Sequence, residues 1–233
     1  MRWPIREVLL VPAVDWRHVA WRRLGRGAKL PAPVPRLASS LNYLLEQIVA
    51  AADSATVGFF GETIRGEPEL IRQVVAAGCE IAVLTDNEID PWSLTPAALR
   101  HQVLNAVDAL NVLGLTGPFR FLPPFPDNRR LDPARVTALR EAGIRQTLGC
   151  GGEGLPALWL AEWHGRPLAD EVVRFVPVRL LQRALAARPG TALALSPIDA
   201  DPGAPLGGRG RSWMLQKLPK LLRAGFVSAE LLR

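Results

Sequence analysis

Short runs of consecutive apolar residues alternate along the chain with longer stretches in which apolar positions recur three and four apart. The runs at 8–14, 55–60, 80–85, 119–122, 145–148, 172–178 and 193–195 predict strands. Between the first two, Leu37, Leu41, Leu44, Leu45 and Ile48 fall on one face of a helix. A second helix is predicted from Pro68, whose missing N–H costs nothing in a first turn, to Gly78, which suits the left-handed position after a helix end. Thr95 and Pro96 form a cap and first turn for a helix carrying Leu99, Val103, Val107 and Leu110, and Asp132, Pro133 and Gly143 bracket another in the same way.

Strand and helix alternate too regularly for an all-α protein or a β-sandwich. The pattern implies an α/β fold: one domain over residues 1–233, built as a distorted (β/α) barrel of about seven strands. In such a barrel any site is made by the loops that follow the strands' C-terminal ends.

Composition changes this picture little. The chain has 233 residues, 48% of them hydrophobic, enough for one sizeable core. Its net charge of +6 is carried almost wholly by arginines scattered along the chain, with lysine only at 29, 217 and 220, so no basic run points to nucleic acid. Two cysteines, Cys79 and Cys150, make neither a disulfide framework nor a zinc ribbon, and a reducing compartment is expected. The opening MRWPIREVLLVPAVDW has too short an apolar run for a membrane span or a usual signal peptide, and we read it as the first strand of a cytoplasmic protein.

Several residues could carry chemistry. Asp15, Trp16 and His18 follow the first strand, and Asp86, Glu88 and Asp199 lie on loops that a barrel would bring to one end. Trp16, Trp21 and Trp92 belong to the same end, where an aromatic face could stack on a sugar ring, though tryptophan more often packs. His101 and His164 read as surface histidines, the latter in a WHGRP turn. Gly149, Gly151 and Gly154 spell GxGxxG, but Pro156 and LWLAEWHGRPL suggest a hairpin where a dinucleotide fold needs a helix. GRGR at 208–211 reads as a solvated basic loop, and Cys79 as a buried thiol.

The segments ATVGFFGE, PELIR and GCEIAVL, in uninterrupted register from Ala55, resemble ATFFVLGE, PELVR and GHEIASH of the NodB-homology polysaccharide deacetylases, carbohydrate esterase family 4. The likeness is strongest to the cytoplasmic branch associated with exopolysaccharide biosynthesis. LLVPAVDWRHV resembles that family's first strand, FLPPFP with Phe125 resembles its RPPYG or RAPSF segment, and ALSPIDADPGAP resembles HPWELDP near the C-terminus. The section from Cys150 to Arg188 aligns poorly. The resemblance implies a NodB-like barrel and, in active members, a metal-dependent N-deacetylase.

The same resemblance places unsuitable residues at the catalytic positions. Pro12 stands where the family has its general base, Val14 at the acidic metal ligand, and Leu84 and Glu88 at the two metal histidines spaced by four. Cys79 replaces the histidine of GHE, Leu122 the arginine that orients the base, and Ser196 the general acid. Zinc needs about three N, O or S ligands from protein, and valine and leucine offer no lone pair. Loss of a positioned acid or base costs on the order of 10²- to 10⁴-fold each. The expectation is a pseudoenzyme without metal or other cofactor, a former catalytic centre converted into core, acting as an accessory, regulatory or glycan-binding protein in exopolysaccharide or surface-glycan assembly. Its partner would be an active deacetylase or another glycan-biosynthesis protein, a glycan, or a second copy of itself. The alternative is a deacetylase or hydrolase with a site rebuilt from Asp15, Asp86, Glu88 and Asp199.

Overall fold

The computed structural model describes residues 7–10, 41–42, 45–46, 55–87, 89–124, 126–169, 172–173, 176–187, 191–195 and 217. Seven parallel strands form its main sheet: β1 (Glu7–Leu10), β2 (Ala55–Phe59), β3 (Glu80–Val83), β4 (Phe119–Phe121), β6 (Ile144–Leu148), β8 (Ala157–Leu158) and β11 (Ala192–Leu195). Their order is β11-β1-β2-β3-β4-β6-β8. A parallel bridge between Leu160, just after β8, and Ala192 joins the two edges. There the Ala161 N–H donates to the Ala192 carbonyl at 2.9 Å and the Ala192 N–H to the Trp159 carbonyl at 2.9 Å, so the sheet closes into the barrel that the alternating pattern implies. Two small sheets add β5 (Arg129–Arg130) with β7 (Cys150–Gly151), and β9 (Glu162–Trp163) with β10 (Arg166–Pro167).

The helices are α1 (Gly61–Gly66), α2 (Pro68–Ala76), α3 (Pro96–Val112), α4 (Pro133–Glu141) and α5 (Val178–Ala187). Their start signals act as read: Thr95 accepts from the Ala98 N–H at 3.2 Å and Asp132 from the Arg135 N–H at 2.8 Å, each relieving an orphan donor of the first turn. Gly78 and Gly143 take φ of 79° and 81°, past the ends of α2 and α4. His164 and Gly165 follow with φ of 48° and 73° at the tip of the β9–β10 hairpin, a pair of positive values that matches a tight hairpin turn to the strand twist. No helix follows Gly154; β8 does, which leaves GxGxxG without the helix that a pyrophosphate would need.

One strand expectation fails. Residues 172–173 are helical and α5 starts at Val178, so the valine-rich run at 172–178 is not a strand. β-branched residues suggested a strand, but Val173, Val176, Leu181 and Leu185 are the buried positions, a three-to-five-residue spacing that suits a helical face. The seventh strand is the two-residue β8, inside the section that the family resemblance left unaligned.

Side-chain alternation divides the apolar interior into two layers. Val57 and Phe59 of β2, Val83 of β3, Phe121 of β4 and Leu193 of β11 join Ile64, Ile71, Leu99 and Leu110 in the core between barrel and helices. The opposite faces of the strands supply Ala82, Leu148, Ala192 and Ala194 to a second cluster, which fills the barrel itself. Leu41 and Leu45, on the face predicted for the helix before β2, are buried against the outer layer.

Candidate functional site

The barrel interior is built from bottom to top by residues at alternate positions. Near the N-terminal ends of the strands lies the Arg120 guanidinium, only 8% exposed. Its Nη1 donates to Thr56 Oγ1 at 2.7 Å and to Glu80 Oε2 at 3.1 Å, and its Nε donates to Gln146 Oε1 at 2.8 Å. Arg145 reaches the same Glu80 oxygen at 3.3 Å from outside. A buried cation is costly unless paired and hydrogen-bonded, and this floor supplies both.

Above the floor the lining turns to carbon. Leu84 and Leu122 extend the sheet one step past β3 and β4, their N–H groups donating to the Phe59 carbonyl at 2.9 Å and the Val83 carbonyl at 3.0 Å. Both are fully buried, in one cluster with Phe60, Leu148 and Leu160. Beneath them is Gly58. A Cβ there would lie 2.5 Å from Leu84 Cδ1 and 2.9 Å from Leu122 Cδ2, so the two leucines already occupy the space against the β2 backbone. These are the positions where the resemblance puts a metal histidine and the base-orienting arginine. Their side chains carry no donor atom, so neither can be a ligand to a divalent cation.

Asp86 follows β3 but turns toward the helices. Its carboxylate is largely buried, and Oδ1 lies 2.7 Å from Arg65 Nη1, a close ion pair too oblique to count as an aligned hydrogen bond. The carboxylate also presses on Gly61, where a Cβ would come within 2.1 Å of Oδ1 and 3.1 Å of the Ala106 Cα. Asp86 holds the Arg65 guanidinium above its ordinary pKa, chiefly through their direct contact. The turn is tied down further by Thr85 Oγ1, which donates to the Asn87 carbonyl at 2.6 Å, and by the Asn87 N–H, which donates to Gln102 Oε1 at 3.2 Å. Sequence order placed Asp86 among loop carboxylates; its partner Arg65, on α1, is a contact that only the fold reveals.

Trp92 lies half-buried in a helical turn, Pro91–Ser93, that Asp90 caps by accepting from the Trp92 N–H at 3.0 Å. The indole packs on the outer core, and the Arg129 guanidinium sits 5.0 Å from its ring centre, a cation–π arrangement that takes up part of the aromatic surface. Arg135 holds the turn through the Trp92 and Leu94 carbonyls at 3.2 and 2.7 Å. Cys79, at the place of the GHE histidine, is buried in the outer core, where burial pushes its thiol up and away from a reactive thiolate. His101 is exposed on α3. Pro12, Val14, Asp15, Trp16, His18, Glu88, Phe125, Ser196 and Asp199, and with them the first-strand and C-terminal parts of the expected site, lie outside the described residues. Among the described residues no three His, Cys, Asp or Glu side chains come together in a metal-binding group.

Sequence reasoning missed the Arg120 floor. Its signal is present: Arg120 stands between two phenylalanines in a strand, at the register that also turns Thr56 and Glu80 inward.

No family model matches the sequence, and no curated protein matches it. Solved structures do. The chain superposes on a family 4 carbohydrate esterase from Streptomyces lividans, in complex with acetate, with a TM-score of 0.55 at 12% identity, covering 95% of this chain and 88% of that one. The peptidoglycan deacetylase PdaC of Bacillus subtilis gives 0.53 at 11% identity, over 93% and 81%. A family 4 pseudoenzyme from Bacillus anthracis gives 0.50 at 11%, over 93% of this chain and 61% of that one, and a mutant of it with restored enzymatic activity gives 0.51. The chain therefore has the polysaccharide deacetylase-like fold of carbohydrate esterase family 4.

Proposed function

We propose that the protein is a catalytically inactive polysaccharide deacetylase-like protein that serves surface-glycan assembly as an accessory to an active enzyme or as a binder of a glycan intermediate. The observation that carries this reading is the packing of Leu84 and Leu122 over Gly58, with both leucines fully buried. In a barrel of this kind the C-terminal ends of the strands are where ligands and reacting groups must converge. Here the ends of β3 and β4 contribute the methyl groups of Leu84 and Leu122 to a core, and replacing buried charged groups by well-packed apolar side chains is often neutral or stabilising. Asp86, the described carboxylate nearest in sequence to the former ligands, is committed to Arg65, which argues against the rebuilt-site alternative.

The exopolysaccharide setting and a cytoplasmic location rest on the sequence resemblance. Among the described residues no helix is long and apolar enough to cross a membrane. The test is elemental analysis of the purified full chain together with acetate release from N-acetylated glucosamine oligomers. The expected result is no stoichiometric zinc, cobalt or nickel and no acetate above the buffer rate. Stoichiometric metal with turnover that disappears in Asp15→Asn or Glu88→Gln would overturn the proposal in favour of a rebuilt site.

A further inference from the structure

On the outer side of the helical layer, away from the barrel interior, α1 and the start of α2 run beside the C-terminal half of α3 and leave a groove of about 420 Å³. Ile64, Pro68, Ala109 and Leu113 give it apolar walls. Beside them stands Val112, 86% exposed, whereas Val75 at 40% is the only other large aliphatic so uncovered among the described residues. The rim carries one group of each charge. Arg65 is half exposed, with one nitrogen on Asp86, and a guanidinium has five N–H donors. Asp108 is exposed and has no ion-pair partner among the described residues.

We propose that this face is a self-association surface whose occupant is a second copy of the chain, packed about a twofold axis. An interface of that symmetry uses the same patch twice, so the patch must be complementary to itself. This one is: a projecting apolar side chain lies next to an apolar hollow, and a cation lies next to an anion. With the two copies antiparallel along α3, each Val112 enters the other's groove and each Asp108 meets the other's Arg65. A membrane surface would favour cations alone on the rim, and Asp108 opposes it. The inference concerns the outer helical surface, not the barrel interior, and stands whether or not the protein is catalytic.

The test is sedimentation equilibrium of the full chain at about 0.15 M salt, where a Debye length of about 8 Å screens the repulsion expected between two chains of net charge +6. The expected result is a dimer at about 100 μM protein, with Val112→Asp raising its dissociation constant at least about tenfold and Asp108→Arg also weakening it. Both positions are exposed, so circular dichroism should not change, and the melting temperature of the monomer should fall by no more than a few degrees, the effect of an aspartate at the C-terminal end of α3. A chain that stays monomeric at that concentration overturns the proposal, as does a dimer that neither substitution weakens. In the first case the groove is left to another protein, and in the second the copies meet elsewhere.

Discussion

The side-chain amide of Asn128 pairs with the backbone of Leu160 as a strand would: its Nδ2 donates to the Leu160 carbonyl at 3.0 Å and its Oδ1 accepts from the Leu160 N–H at 2.9 Å. The same Nδ2 reaches Glu162 Oε1 at 2.9 Å. One residue thus fastens the loop after β4 to the segment through which the barrel closes. Its φ of 58° is a left-handed conformation that asparagine tolerates better than most residues.

Asn128→Ala removes both backbone partners and places alanine in a strained conformation. At about 1 kcal/mol for each of the three hydrogen bonds, the one to Glu162 included, with about 1 kcal/mol more for the strain, it should destabilise the protein by about 4 kcal/mol in urea unfolding. Asn128→Asp keeps the acceptor for the Leu160 N–H but sets a carboxylate oxygen against the Leu160 carbonyl and the Glu162 carboxylate, so it should recover little of that loss.

Gly58→Ala drives a methyl group into Leu84 and Leu122 and should cost about 1–3 kcal/mol through overpacking. Combined with Leu84→Ala, which vacates the nearer contact, the loss should be smaller than the sum of the two single losses. Additivity in that double-mutant cycle would show that Leu84 does not fill the space over Gly58.

Arg120→Ala leaves the buried Thr56 hydroxyl and the Gln146 amide without their common donor, while half-exposed Glu80 keeps Arg145, and should destabilise by about 1–3 kcal/mol. Arg120→Met, which keeps much of the volume and brings no new polar atom, should recover part of that loss. Chemical denaturation of the two variants gives the comparison.

Lys217 is buried and donates to the Val173 and Val176 carbonyls. Burial nevertheless pushes it down to about 8. Below that pH the side chain is charged in both states and the folded protein bears the full desolvation penalty. Between about 8 and the usual lysine value of about 10.4, the folded state has released its proton while the unfolded chain keeps it, so this group raises stability with pH. Unfolding free energies measured from pH 7.5 to 10 should rise more steeply in wild type than in Lys217→Met, and equal slopes would sink the prediction.

Local signals proved sufficient where the physics is local. Pro68 and Gly78, Thr95 with Pro96, and Asp132 with Pro133 each act within one turn of backbone, and the helices begin and end with them. The regular alternation of strand and helix implied the (β/α) barrel before any contact was known. The run at 172–178 misled because β-branched content and helical spacing pointed different ways, and tertiary burial of Val173 and Val176 decided between them. β8 escaped notice because two residues carry no period; backbone pairing to β6 makes it a strand.

The sequence by itself determined the alternation of elements, the caps that bound them, and the absence of donor atoms at Leu84 and Leu122, because each of these is a property of a residue and its near neighbours. Tertiary structure alone decided that those two leucines meet over Gly58, that Asp86 turns to Arg65, and that Arg120 finds Thr56, Glu80 and Gln146. Those partners lie between 21 and 64 residues apart along the chain, a separation that only closure of the barrel and packing of its helices brings down to contact distance.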